Sequence, residues 1–244
     1  MNITQEKIPL SLDSVYSLAF SALRGAGAAD IPAASLAQAF RFAEADGLPN
    51  HGLARLPAFC RHIALGKIDG KAEPVVHRPL PGVIEVDAGN GLSHPAIDVG
   101  LDPVTEAARE VGIAILLIRH AYSCHVLGYH TERLARRGLL AMGFGNAPAS
   151  IAPPGGKKGV LGTNPMSFAL PRRGAAPVVV DQASSVIAKS EITDRAAHGG
   201  SIPLGWALGP DGEPTTDAKT AMQGTMVPFG GYKGFNMALL SEFM

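Results

Sequence analysis

Val160-Leu161-Gly162-Thr163-Asn164-Pro165 sits between Pro153-Pro154-Gly155-Gly156 and the apolar stretch 166–170. Gly, Asn and Pro interrupt regular structure, so taken alone the run is a turn. Two other segments accompany it. Asn50-His51-Gly52-Leu53-Ala54-Arg55 lies upstream, and Pro228-Phe229-Gly230-Gly231-Tyr232-Lys233-Gly234 lies downstream.

Working outward, the flanking sequence alternates between helical and extended patterns. Asp13 is expected to cap a helix over 14–24, closed by Gly25, and Asp30 a second over 33–46 with Pro32 in its first turn. A third covers 56–65, with Pro57 in its first turn and Gly66 at its end. Val83-Ile84-Glu85-Val86-Asp87 alternates like a strand. A helix over 95–110 must kink or restart at Pro103. The continuous apolar run 112–118 predicts a buried central strand. A short helix follows over 129–137, then strands at 139–144, 166–170 and 178–181, and a last helix from 234 to the end. Loose alternation of this kind predicts the α/β class with a mixed sheet.

Composition narrows the function classes. Of 244 residues, 46% are hydrophobic and 17% charged, an ordinary globular balance. Lys+Arg and Asp+Glu are both 21, giving zero formal charge. There is no basic run of the kind a nucleic-acid surface needs, and near-zero charge weakly favours self-association. Cys60 and Cys124 are too few for a disulfide scaffold and fit a reducing cytoplasm. Residues 1–7 have no apolar signal core. The run 111–118 is too short to span a bilayer, so no membrane partner is expected.

Five segments carry candidate chemistry. His51 and Arg55 are four residues apart and share a face if a helix starts there. A His gives a proton near neutral pH, and an Arg fork holds a carboxylate by two parallel bonds. By spacing alone, a surface His and Arg on a polar helix start is the commoner use of such a pair. His120-Ala121-Tyr122-Ser123-Cys124-His125-Val126-Leu127-Gly128 follows the long strand, where ligands of α/β sheets gather. His120, His125 and His130 are spaced by five and lack a carboxylate cluster, so no metal is expected. Thr163 in its turn either donates to a substrate or only connects strands. Asp181, followed by Gln182 and Ala183, closes an apolar strand and either binds a ligand or caps the next segment. Gly230-Gly231-Tyr232-Lys233 opens the last helix, which is either a phosphate site or a helix start with a solvated Lys. No Rossmann fingerprint is usable: Gly25-Ala26-Gly27 follows a helix, not a strand.

The order and separation of the three opening segments resemble the malate/L-lactate dehydrogenase superfamily, from about residue 14 to the end. Those enzymes use nicotinamide cofactors without a Rossmann fold, and include reductases of keto acids and of cyclic imino acids. The resemblance implies an N-terminal helical segment at 1–75, a cofactor-binding mixed α/β domain at 76–230 and the start of a C-terminal helix at 231–244. Family members continue past this point, so the chain is expected to be truncated. It also implies a cytoplasmic homodimer with its site between subunits.

By the same resemblance, His51 is the proton donor and Arg55 the carboxylate clamp. Asn50 and Glu191 stand where the imine-reductase branch has the Ser and Asp of a proton relay. Thr163 touches substrate. Ser123, His125, Val126, Leu127, Asp181, Gln182, Ala183, Tyr232 and Lys233 lie at NADPH or NADH. Val126 replaces an aromatic residue and Leu127 a small one.

Three stretches are most similar to reductases of Δ1-piperideine-2-carboxylate and Δ1-pyrroline-2-carboxylate: Gly66-Lys67-Ile68-Asp69-Gly70-Lys71, Asp87-Ala88-Gly89-Asn90-Gly91 and 161–165. The partner implied is a small 2-imino or 2-oxo acid. The expected activity is NAD(P)H-dependent reduction of C=N beside a carboxylate. A malate- or lactate-type 2-hydroxy-acid dehydrogenase is the alternative. A relative that binds or dimerises without turnover is the alternative of another class.

Overall fold

The computed structural model describes residues 8–244; residues 1–7, where the missing signal core was read, lie outside the described residues. The chain forms two compact units that meet in sequence at Val126 and Leu127.

The first unit holds α1 (Leu12–Gly25), α2 (Asp30–Ala45), α3 (Leu56–Ala64), β1 (Val75–Leu80), β2 (Val83–Asp87), α4 (Ser93–Val111) and β3 (Ile115–Arg119). Helix α1 buries Val15, Ala19 and Leu23, one stripe at four-residue spacing. Its N-cap is Ser11, whose hydroxyl accepts from the Ser14 N–H at 3.1 Å, so Asp13 lies in the first turn instead of capping it. Asp30 is likewise inside α2, with Ala29 at the cap, and its carboxylate pairs with Arg24 at 2.6 Å. Both acids still complement the helix dipole. Helix α2 buries Leu36, Phe40 and small alanines, which lets α1 pack closely. Phe40 meets Phe59 of α3 edge to face at 5.7 Å.

Strands β1 and β2 pair antiparallel, and β2 and β3 pair parallel, giving a mixed sheet in the order β1-β2-β3. Ile84 and Val86 of β2 are fully buried under α4. The apolar run read as a central strand is instead the edge strand β3, with Ile115 51% and Leu117 39% exposed. An apolar run signals burial on both faces, yet only the face under α4 is covered among the described residues. Helix α4 continues through Pro103 without restarting.

The second unit opens with α5 (Leu127–Ala135) against an antiparallel meander of β4 (Ala141–Phe144), β5 (Met166–Arg172) and β6 (Ala175–Gln182). Thr131 on α5 and Ser167 on β5 share a buried hydroxyl bond of 2.7 Å. Then come α6 (Lys189–Ala197), β7 (Ala207–Leu208), α7 (Ala218–Gln223), β8 (Thr225–Met226) and α8 (Tyr232–Phe243). Ile151, Ile192, Ile202, Ala207 and Met226 form the core here, with Trp206 packed against it. The mixed α/β class stands, built as separate small sheets. Among the described residues no helix is long and apolar enough to cross a membrane.

Candidate active site

In the first unit, His51 and Arg55 do not lie on one α-helix. They end two successive 3-10 turns, Pro49–His51 and Leu53–Arg55, separated by Gly52. Glu44 of α2 fixes this segment, because its Oε1 accepts from the Leu53 N–H at 2.7 Å. A Cβ at Gly52 would stand 1.9 Å from that same oxygen, so glycine is what lets the carboxylate reach under the loop. Arg55 is exposed, while Asn50 and His51 are half-buried.

The loop after β3 comes alongside. It is laddered onto the segment after β2: Ala88 N–H donates to the Arg119 carbonyl at 2.9 Å, Asn90 N–H to His120 at 2.8 Å, and Tyr122 N–H to Gly91 at 2.9 Å. This ladder brings His125 to His51, with ring centroids 5.4 Å apart. Ser123 is exposed and Val126 buried. His62 Nδ1 lies 2.7 Å from the Tyr122 hydroxyl. Burial holds the His62 pKa below its usual value, reinforced by Lys67, Arg61 and Arg55. Burial also raises the Tyr122 phenol, against the pull of Arg55. With His62 neutral, its Nδ1 accepts from the Tyr122 O–H in one ring tautomer and donates to the phenol oxygen in the other. Arg55 thus acts electrostatically on both groups. Among the described residues, no group of three or more His, Cys, Asp or Glu is placed to hold a metal.

The second unit gathers the other candidates through the backbone. Asn164, 0% exposed, accepts from the Ala147 N–H at 3.0 Å and donates to the Ala238 carbonyl at 2.9 Å and to Glu242 at 2.7 Å. A Cβ at Gly162 would stand 2.1 Å from the Ala147 carbonyl oxygen, so this turn closes only with glycine there. The Thr163 carbonyl accepts from the Ser184 N–H at 2.7 Å, and the Ser184 carbonyl from the Phe229 N–H at 3.0 Å. The turn at Thr163, the end of β6 and the start of α8 are therefore stitched together. Asp181, Gln182, Tyr232 and Lys233 are exposed, and Ala183 is half-buried. One oxygen of Asp181 accepts from the Gly128 N–H at 2.7 Å, at the first turn of α5, where a carboxylate also meets the helix dipole. Leu127, at the start of the same helix, is buried. Glu191 pairs with Arg195 at 2.9 Å, one turn along α6.

Sequence reasoning missed Glu44, the His62–Tyr122 pair and the linking roles of Asn164 and Ser184. Tyr122, Asn164 and Ser184 stood inside stretches singled out for other residues. Glu44 has no local signal, because its partner is a backbone N–H in another segment.

Helix α8 could receive a phosphate group. Gly230 and Gly231 have φ of 57° and 64°, and the helix has no side-chain cap. A Cβ at Gly231 would meet nothing within 4 Å, so the approach is open. The Gly231 and Gly234 N–H groups donate to the Pro228 and Phe229 carbonyls, so the positive end of the helix dipole and Lys233 are what suit a nucleotide phosphate here.

A family model described as malate/L-lactate dehydrogenase matches residues 10–244. A (2R)-3-sulfolactate dehydrogenase (NADP(+)) of Chromohalobacter salexigens is 42% identical, covering 96% of this chain and 70% of its own. A Δ1-pyrroline-2-carboxylate reductase of Pseudomonas fluorescens is 40% identical, covering 98% and 71%. The crystal structure of a Δ1-piperideine-2-carboxylate reductase from Pseudomonas syringae superposes with a TM-score of 0.93 at 32% identity, covering 97% of this chain and 72% of that one.

Proposed function

We infer function from one premise: this chain belongs to the malate/L-lactate dehydrogenase family. It is an NAD(P)H-dependent oxidoreductase acting on a small molecule. The substrate is a cyclic 2-imino acid of the Δ1-pyrroline-2-carboxylate or Δ1-piperideine-2-carboxylate type, and the product the cyclic amino acid. Reduced nicotinamide, held by the residues named below, would supply the hydride for C2. His51 gives the proton to the ring nitrogen, and Arg55 holds the carboxylate that fixes C2 in place. Thr163 contacts the substrate through its turn. Asp181, Gln182, Ala183, Tyr232 and Lys233 hold the nucleotide, with Ser123, His125, Val126 and Leu127 along the loop. Asn50 and Glu191 complete the surroundings of the acid.

The observation that carries this function is the pairing of an imidazole with an exposed guanidinium on two adjoining turns, the second held by Glu44 through the Leu53 N–H. A homodimer is proposed from the apolar faces left open on β3 and on the meander, at Ile115, Met142, Leu170 and Val178. The cytoplasm is the proposed compartment, supported by two free cysteines.

A second substrate class has its own support. Lys67 lies 5.9 Å from the Tyr122 ring centre, and His62, Arg61 and Arg55 are close enough to interact electrostatically. Such a cationic corner suits a 2-hydroxy or 2-oxo acid with a second anionic group, and sulfolactate is the substrate named for one relative. Oxidation of NADPH and of NADH should be followed with both cyclic imines, 3-sulfopyruvate, pyruvate and oxaloacetate. Preference for a cyclic imine is expected. Preference for 3-sulfopyruvate moves the enzyme to the second class, and silence with every substrate contradicts the oxidoreductase function.

A further inference from the structure

His125 has a φ of 67°. That left-handed region is uncommon for any residue with a side chain, whereas glycine sits there without strain. The turn is tied down on two sides. The His125 N–H lies 3.3 Å from Ser123 Oγ, and the Ser123 carbonyl accepts from Ser93 Oγ of α4 at 2.9 Å. The ring stands edge-on to Phe40 at 5.4 Å and to Phe59 at 5.6 Å, which fixes its plane. Both ring nitrogens are shut off from solvent. Two further imidazoles meet it: His51 at 5.4 Å and His94 at 6.4 Å between centroids, His94 being only 1% exposed.

We propose that His125 is a positioning residue for His51, holding the His51 ring in its working orientation and coupling to its protonation. The proposal rests on His51 being the acid and deepens that assignment. Two imidazoles this close do not both charge cheaply, because each cation disfavours the other and the His125 nitrogens are shut off from solvent. The pair therefore releases its protons in coupled steps. The titratable and charged groups on the surrounding elements are Glu44 on α2, Arg55 on the second 3-10 turn, His62 on α3, His94 on α4, and Tyr122 and Cys124 on the loop. The ring contact to His51 is made by His125. A strained backbone held by two aromatic rings at a proton donor is the kind of local cost that functional sites carry.

The test uses the whole chain labelled with 13C,15N-histidine, as wild type, His125→Gln and His125→Gly. The glycine variant keeps the turn without strain, and the glutamine variant keeps a polar side chain of similar reach. In the wild type, the His51 resonance is expected to titrate in two steps, with His125 following the same steps. In both variants His51 is expected to titrate in one step, while kcat for the preferred substrate falls roughly tenfold, the scale of coupling between touching residues. KM should change much less than kcat. An unaltered His51 titration in folded variants overturns the proposal, as does an unaltered kcat. Failure of the acid assignment looks different: His51→Ala would keep turnover while the coupled titration of the wild type persisted.

Discussion

The two units arrange their candidate groups in opposite ways. In the first, the candidates are side chains: His51 meets His125 and His62 meets Tyr122, while Glu44 ties down the turn that ends in Arg55. In the second, the backbone does the arranging. Thr163, Ser184 and Phe229 are linked carbonyl to N–H, and Asn164 joins the turn to α8. Side chains suit proton transfer and carboxylate recognition, which depend on pKa and geometry. Backbone N–H groups and glycines suit an elongated anionic ligand, which needs shape and a fixed partial charge. The first unit should therefore lose activity before stability when altered, and the second the reverse.

The largest effect is expected at Gly162→Ala. With a Cβ 2.1 Å from the Ala147 carbonyl oxygen, the turn cannot close, and the loss should be roughly 4 kcal/mol, at the upper end for a single substitution. Urea unfolding followed by the one tryptophan, Trp206 in the second unit, reads it directly. A midpoint equal to wild type would break the comparison. Next comes Asn164→Ala, which leaves the half-buried Ala147 N–H without its acceptor and removes the side-chain links to the Ala238 carbonyl and Glu242. About 3 kcal/mol is expected in the same transition.

The smallest effect belongs to the first unit. Tyr122→Phe removes the bond to His62 and should cost about 1 kcal/mol at pH 8. Its pH dependence has a definite sign. The folded His62 pKa lies below its unfolded value of 6.5, so the unfolded chain takes the proton first. Stability linked to this group is whole above about pH 6.5 and is lost as pH falls toward the folded pKa. Where the Tyr122 O–H is the donor, a protonated His62 no longer accepts from it. The gap between wild type and Tyr122→Phe, measured by circular dichroism at each pH, should therefore close on acidification. A gap that widens would make the His62 Nδ1–H the donor.

Much of this was legible in the sequence, and the gaps have physical causes. The Gly162–Pro165 turn, the strands at its flanks and the helix opening at Tyr232 carry local signals: turn residues, alternation and a glycine pair. The α/β class followed from those. Edge and centre were confused at β3, because an apolar run records which faces can be buried, not which are covered. The His51–Arg55 pairing was read as helical, whereas Gly52 and the Glu44 carboxylate make two separate turns. Glu44, His62 and His94 act only through partners far away in sequence, and no window of local sequence contains both halves of such contacts. Ser11 in place of Asp13 at the first cap is a smaller slip between two residues equally suited to the position.

The central claim is that the first unit supplies the acid for a reduction powered by the nicotinamide. The measurement that tests it is turnover of the preferred substrate by wild type and His51→Ala, together with reduced-cofactor affinity by fluorescence titration. Loss of kcat by roughly 10²–10⁴-fold, with cofactor affinity kept, is predicted from the usual worth of a general acid. Near-normal kcat in a folded His51→Ala protein would contradict it.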